Sequence, residues 1–202
     1  MGEDKAWLLL DGRPLVARAL AAARPAVDRL AVVVSPGSPH LERYRELADR
    51  WDARLLPDPH DYRGPLGGIH TALADCAPGE AALVLACDLP FVTPGLLSLL
   101  RRLHETASGL VTVPRDESGR LQPLAAVYAA DCLAPVAAML AAGELKADRL
   151  LTRVAAREVA FSELAGLPGS ARFFVNLNTP QDYRDARGQE ESRRDEECSV
   201  SE

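Results

Sequence analysis

Short apolar runs and longer segments of helical period alternate along most of this chain, which predicts an α/β fold with a mostly parallel sheet and crossover helices. Residues 7–10 read as a short extended piece ending in the turn Asp11-Gly12. Residues 14–26 form an Ala/Leu-rich helix with Pro14 in its first turn, where a missing N–H costs little. A β-branched strand at 29–34 stops at Ser35-Pro36-Gly37, an amphipathic helix covers 39–51, and a strand at 53–56 runs into Pro57-Asp58-Pro59. A loop at 61–68 leads into a helix reaching about residue 75. Residues 81–87 are wholly apolar, the pattern of a strand at the buried centre of a parallel sheet, and the run ends abruptly at Asp88-Leu89-Pro90. Thr93-Pro94 supplies an N-cap and first-turn proline for a helix to about residue 106.

Strands at 109–114 and 122–128 follow, separated by turn residues 116–119. Asp131 is placed to cap a helix to residue 141, and 148–154 reads as one more helix. Short strands are expected at 157–161 and 172–175, and Thr179-Pro180 opens a last helix that fades near residue 187. From residue 188 no apolar period remains, so 188–202 reads as a disordered charged tail behind a single domain at 1–187.

Length and composition fit that outline. The 202 residues are ample for one hydrophobic core, and 48% hydrophobic with 26% charged residues is ordinary for a globular protein. The net charge is −6, of which −4 falls on residues 185–202, where seven acidic residues face three basic ones. No Lys/Arg stripe is present, so a nucleic-acid partner is not expected. An anionic substrate would need local neutralisation by a few cations, backbone N–H groups or a metal. The cysteines, Cys76, Cys87, Cys132 and Cys198, form no C-x-x-C pair and match no zinc spacing. With no signal peptide and no apolar run of about 18 residues, the chain reads as a reduced cytoplasmic protein without a membrane partner. Cys87, inside an apolar strand, reads as packing.

Candidate chemistry gathers at element ends. Asp88 follows the most apolar strand and so lies at its C-terminal edge, where open α/β sheets bind ligands. With Asp58, which also ends a predicted strand, it could hold a divalent cation against phosphate oxygens, or it could simply cap the following turn. Gly64-Pro65-Leu66-Gly67-Gly68 is a glycine-rich turn into a helix, able to approach a ligand closely or to serve as a plain connector. Asn176 and Asn178 put two amides on one side of an extended segment, suited to reading a heterocycle's polar edge or to satisfying loop backbone. Lys5, by itself, is a solvated terminal lysine.

Taken in order, Met-Gly-x-Asp-Lys at 1–5, Asp11-Gly12-Arg13-Pro14-Leu15, the 64–68 turn, Cys87-Asp88-Leu89-Pro90, Gln122-Pro123-Leu124 with Tyr128, and Asn176-x-Asn178-Thr179-Pro180 resemble the molybdenum cofactor guanylyltransferase family. The resemblance runs from residue 1 to about 187 and implies a three-layer Rossmann-like nucleotidyltransferase fold, with a mixed, mostly parallel sheet flanked by helices. It implies an enzyme that uses Mg²⁺ and transfers GMP from GTP to molybdopterin-bound molybdenum, releasing pyrophosphate. Lys5 would neutralise the triphosphate, Asp88 would hold Mg²⁺, and Asp58 and Ser35 would contact the nucleotide, although relatives can carry Asn at the Ser35 position. Gly64, Pro65, Leu66, Gly67, Gln122, Pro123, Asn176 and Asn178 would face the pterin. A recipient molybdoenzyme or cofactor chaperone is the implied protein partner. Relatives carry a strand and an Ala-Gly-Gly-x-Ser-x-Arg type loop immediately before Met-Gly-x-Asp-Lys, so an unpaired sheet position is expected, with a wrongly assigned start as the favoured reading and a degenerate, poorly active relative as the other. Alternatives are a cytidylyltransferase of the same cofactor, another NTP transferase, or a non-catalytic molybdopterin-binding module.

Overall fold

Strand β1 (Leu9–Leu10) and β2 (Arg13–Pro14) form a small hairpin around Asp11 and Gly12. Both turn residues have positive φ (55° and 70°), as a two-residue loop matched to strand twist requires. The computed structural model describes residues 4–59, 64–177, 179 and 181–186; Asn178 and the tail 188–202 lie outside the described residues. After the hairpin come α1 (Leu15–Ala23), β3 (Leu30–Val34), α2 (Leu41–Trp51), β4 (Ala53–Pro57), α3 (Pro65–Ala74) and β5 (Ala81–Leu85). The second half holds α4 (Pro94–Glu105), β6 (Val111–Pro114), β7 (Ala125–Ala129), α5 (Leu133–Ala141), α6 (Ala147–Leu150), β8 (Ala156–Val159) and α7 (Phe161–Leu164). Residues 181–186 are helical, and their entry is capped reciprocally, Asp182 N–H donating to Thr179 Oγ1 and Thr179 N–H to Asp182 Oδ2. Thr93 caps α4 as expected, its Oγ1 accepting from Leu96 N–H. Among the described residues no helix is long and apolar enough to cross a membrane.

The sheet is mixed. β3 pairs with β4 in parallel, and a four-stranded unit runs in the order β5-β7-β6-β8. Within that unit β7 is antiparallel to both neighbours, while β6 and β8 are parallel. The short link between β6 and β7 accounts for this, because a brief connection can only reverse the chain. Side chains of β7 alternate between two cores. Ala125 and Val127 join one with α1, α2 and α4, including Leu20, Leu47 and Leu97. Ala126 and Tyr128 join the other with α3, α5 and α6, including Ile69, Met139 and Leu150. This period-two division makes the fold three layers. Each fully buried aliphatic side chain in those layers stabilises the fold by roughly 1.5–3 kcal/mol.

Four local expectations change. Residues 5–7 form a tight 3-10 turn capped by Asp4, leaving only Leu9–Leu10 extended. Residues 172–175 are not a strand: a 3-10 turn at Ser170–Arg172 is followed by a bend. There the apolar alternation anchors Phe173, which is fully buried, while the Arg172 guanidinium stacks 3.6 Å over the Phe91 ring. Asp131 does not cap a helix; it sits within the 3-10 turn Ala130–Cys132 that feeds α5 without a side-chain cap. Most telling is the run at 81–87, which was expected to be buried. Ala81 is exposed and residues 82–87 are each only half-buried, because β5 is paired on one edge alone among the described residues.

One buried polar link ties the β6–β7 hairpin to its base. Tyr128 is fully buried, and its hydroxyl donates to the Pro123 carbonyl at 2.7 Å. Burial pushes its ionisation well above the ordinary range, so it remains a donor. Tyr128→Phe keeps the ring and strands the carbonyl, so unfolding free energy should fall by about 1 kcal/mol in chemical denaturation. An unchanged midpoint and slope would contradict the assigned bond.

Candidate functional site

Asp4, Lys5, Asp58 and Asp88 line one cavity at the strand ends. Asp58 comes directly after β4, and its N–H donates to Val34 O at 2.8 Å, fixing it beside the end of β3. It is 2% exposed, and Oδ1 accepts from Thr71 Oγ1 of α3 at 3.2 Å. Asp88 lies three residues past β5. Its carbonyl accepts from Leu177 N–H at 3.0 Å, which brings the Asn176 segment alongside. Lys5 reaches the same corner from the N-terminal turn. Its placement depends on Asp4, whose Oδ1 accepts from Ala6 N–H and whose Oδ2 accepts from Tyr44 O–H at 2.6 Å. Trp7, 4.9 Å from the Tyr44 ring and covered by Arg43 at 4.1 Å, locks the turn to α2.

Asp88 is electrostatically distinctive. Oδ1 is a buried oxygen with no hydrogen-bond partner among the described residues. Its carboxyl is raised above the ordinary value, chiefly by burial, while the Lys5 ammonium and a backbone hydrogen bond pull the other way. Such an orphaned carboxylate oxygen costs free energy until a cation or donor meets it. Cys87 beside it is pushed up to about 12, by burial first and then by Asp88 and Asp4. The thiol therefore stays protonated and inert, in keeping with a packing role.

Lys5, Asp58, Asp88, Gly64 and Pro65 line one cavity of about 1150 Å³, together with Asp4 and Tyr44. Gly64 begins α3 at φ +78°, and a Cβ there would stand 3.1 Å from the Leu145 carbonyl, so only glycine fits without strain. The other candidates lie outside that lining. Leu66 is fully buried in the α3 core and Gly67 is buried too, leaving the turn's backbone rather than those side chains to meet a ligand. Ser35 is half-buried just beyond β3. Gln122 donates from Nε2 to Asp116 Oδ2 at 2.8 Å, and Pro123 holds Tyr128, so both are engaged within the β6–β7 hairpin. Asn176 is exposed on the Asp88 side, and Asn178 lies outside the described residues. Sequence reasoning missed Asp4, Tyr44 and Thr71 as positioning groups. An aspartate just before Lys5-Ala6-Trp7 is a readable cap signal, whereas the long-range partners Tyr44 and Thr71 left no local mark. Among the described residues no three His, Cys, Asp or Glu groups gather to hold a metal, so any cation here would rest on Asp88 with substrate oxygens and water.

Known proteins resemble this chain in sequence and in fold. Residues 1–159 match the family model of the MobA-like NTP transferase domain. A probable molybdenum cofactor guanylyltransferase of Pelotomaculum thermopropionicum is 35% identical over 195 residues, covering 96% of this chain and 89% of the relative. Another, from Methanothermobacter thermautotrophicus, is 33% identical over 188 residues, covering 91% of each. The crystal structure of molybdopterin-guanine dinucleotide biosynthesis protein A from Archaeoglobus fulgidus superposes with a TM-score of 0.79 at 26% identity, covering 95% of this chain and 92% of that one. The three-layer fold, the site at the strand ends and these likenesses agree: this chain belongs to the MobA-like NTP transferase domain family.

Proposed function

We propose that this protein is a molybdenum cofactor guanylyltransferase, and that residues 1–187 make up its functional domain. The observation that carries the reading is Asp88: a buried carboxylate oxygen without a partner among the described residues, just beyond an apolar strand and within the field of Lys5. That donor fits a hard divalent cation, Mg²⁺ by preference, which tolerates one protein carboxylate with phosphates and water. When bound, such a cation supplies positive charge to the reacting phosphate oxygens.

The chain's own residues have separate tasks in this reading. Lys5 neutralises the triphosphate of GTP, and the Asp4–Tyr44 bond keeps it aimed at the strand ends. Asp58, fixed by Thr71, contacts the nucleotide, with Ser35 beside it at the end of β3. The Gly64 turn, Gln122, Pro123, Asn176 and Asn178 form the pterin side. A terminal phosphate oxygen of molybdopterin attacks the α-phosphorus of GTP, the bond to the β-phosphate oxygen breaks, and pyrophosphate leaves. In-line positioning and charge neutralisation suffice for that displacement, so no covalent nucleophile is needed. A protonated Cys87 agrees with its absence.

Two experiments test the reading. Incubated with molybdopterin, Mg²⁺ and either nucleotide, the protein should release pyrophosphate and form the dinucleotide cofactor faster with GTP than with CTP. Faster reaction with CTP would move it to cytidylyl transfer, and turnover only with a sugar phosphate would remove it from cofactor chemistry.

Asp88→Asn should lower transfer by about 10²–10³-fold. Its stability should move the opposite way. A carboxyl whose folded value is raised binds its proton more tightly in the folded state than in the unfolded one. Stability is therefore lost as pH climbs from the ordinary carboxylate value through the raised one, and the penalty persists at neutral pH. The amide removes that penalty, so Asp88→Asn should melt higher at pH 7 without a divalent cation, with the gap closing as pH falls. Full activity, or a variant that melts lower at pH 7, would count against this role.

A further inference from the structure

The link between β6 and β7 lies at the same edge of the sheet as Asp88. β5 and β6 both run antiparallel to β7, so the ends of β5 and β6 and the start of β7 share that edge. Ala86 N–H bonds Leu124 O at 2.8 Å, which carries Gln122, two residues earlier, to the edge that Asp88 occupies. Leu124 and Asp88 line the same cavity.

This link is held by many bonds. Gln122 N–H donates to Pro114 O and Asp116 N–H to Arg120 O, both at 2.9 Å, and Gly119 at φ +83° returns its N–H to Asp116 O. Arg115 ties the turn to β8, Nε donating to Glu158 Oε2 at 2.9 Å, and also donates to the Gly119 carbonyl. One carboxylate sits at the centre. Asp116 Oδ1 accepts from Ser118 Oγ at 2.6 Å and from Arg120 N–H at 2.9 Å, while Oδ2 accepts from Gln122 Nε2 at 2.8 Å. Burial pulls this carboxyl up, but its donors outweigh burial and hold it below the ordinary value. At neutral pH it is an anion that only accepts hydrogen bonds.

The turn itself uses Oδ1. Oδ2 serves a side chain beyond the turn, and that contact has a chemical consequence. An anionic carboxylate can face only the NH₂ branch of a carboxamide, so Gln122 is locked with Nε2 toward Asp116 and Oε1 on the other branch. No donor among the described residues meets Oε1.

We propose that Asp116 is a positioning residue for the pterin substrate: its carboxylate fixes the Gln122 carboxamide so that Oε1 stands ready to accept from the ring's N–H edge. The role rests on the reading proposed above, in which Gln122 belongs to the pterin side. A pterin carries a lactam N–H beside an exocyclic amino group, two adjacent donors that match a fixed acceptor. A freely turning amide would offer a donor or an acceptor alike, whereas a locked one rejects a ring that presents only acceptors.

Asp116→Asn separates the turn from the amide. The remaining side-chain oxygen still accepts from Ser118 and Arg120, which sets the new NH₂ group against Gln122 Nε2, donor to donor. Gln122 must then turn over and present Nε2 to the ligand. Equilibrium binding of molybdopterin should weaken by about ten- to a hundredfold, the cost of an unmatched polar contact, while GTP affinity stays near the native value. Adding Gln122→Glu to this variant should restore most of the loss, because the new NH₂ group donates to one carboxylate oxygen and the other again faces the pterin as an acceptor. Native-like molybdopterin binding by Asp116→Asn would overturn the role. So would a double variant as weak as the single one, or an equal loss of GTP affinity, since either assigns Asp116 to the turn alone. Failure of the native protein to bind molybdopterin would remove the pterin reading and this role together, whereas native binding with an unaffected Asp116→Asn removes only the role.

Discussion

The ladder between β5 and β7 is the constraint on which the site depends. Because β5 has no partner on its other edge among the described residues, the register Leu85 opposite Ala125 is what fixes where β5 ends. That register is secured by β7 itself. Ala125 and Val127 are committed to one core and Ala126 and Tyr128 to the other, so a slip of one residue would exchange the two sets. The Tyr128 hydroxyl adds a polar clamp at the hairpin base. From this fixed end the chain turns through Asp88, and Leu177 fastens the turn by donating to the Asp88 carbonyl. Lys5 is brought in independently, through Asp4 and Tyr44 on α2. Two halves of the molecule thus deliver opposite charges to one corner.

That corner is costly when it holds no cation. Burial disfavours the Asp88 anion more than Lys5 and the backbone favour it, and Oδ1 meets no donor among the described residues. Asp58, by contrast, is nearly inaccessible and already accepts from Thr71. The two carboxylates therefore differ in setting: the Asp88 oxygen is met by no donor among the described residues, and Asp58 is held in place by Thr71 at the cavity wall. Sites that bind phosphates through cations concentrate such groups where desolvation strengthens them.

Much of this was legible along the chain because it is local. The Asp11-Gly12 turn, the Thr93 cap and the strand preceding Asp88 each follow from a few adjacent residues. Lys5, Gly64 and Asp88 came from ordered motifs and Asp58 from its place after a predicted strand, and all four line one cavity. What failed depended on distant partners. An apolar run does not say how many neighbours it will have, and residues 82–87 are half-buried where β5 pairs on one edge alone among the described residues. The alternation at 172–175 looks like a strand but serves to bury Phe173 and to seat Arg172 on Phe91. Likewise Gln122 and Pro123, read from the motif as facing the pterin, also hold the hairpin through Asp116 and Tyr128, a duty visible only in three dimensions.

The central claim is that the Asp88 carboxylate joins nucleotide to protein through a divalent cation. It is tested most directly by GTP affinity in calorimetry, with Mg²⁺ and with a chelator, for the native protein and for Asp88→Asn. The account predicts that Mg²⁺ strengthens GTP binding to the native protein about tenfold or more, a coupling of about 1.4 kcal/mol, and that the coupling vanishes in Asp88→Asn. The same Mg²⁺ dependence in both proteins would contradict it.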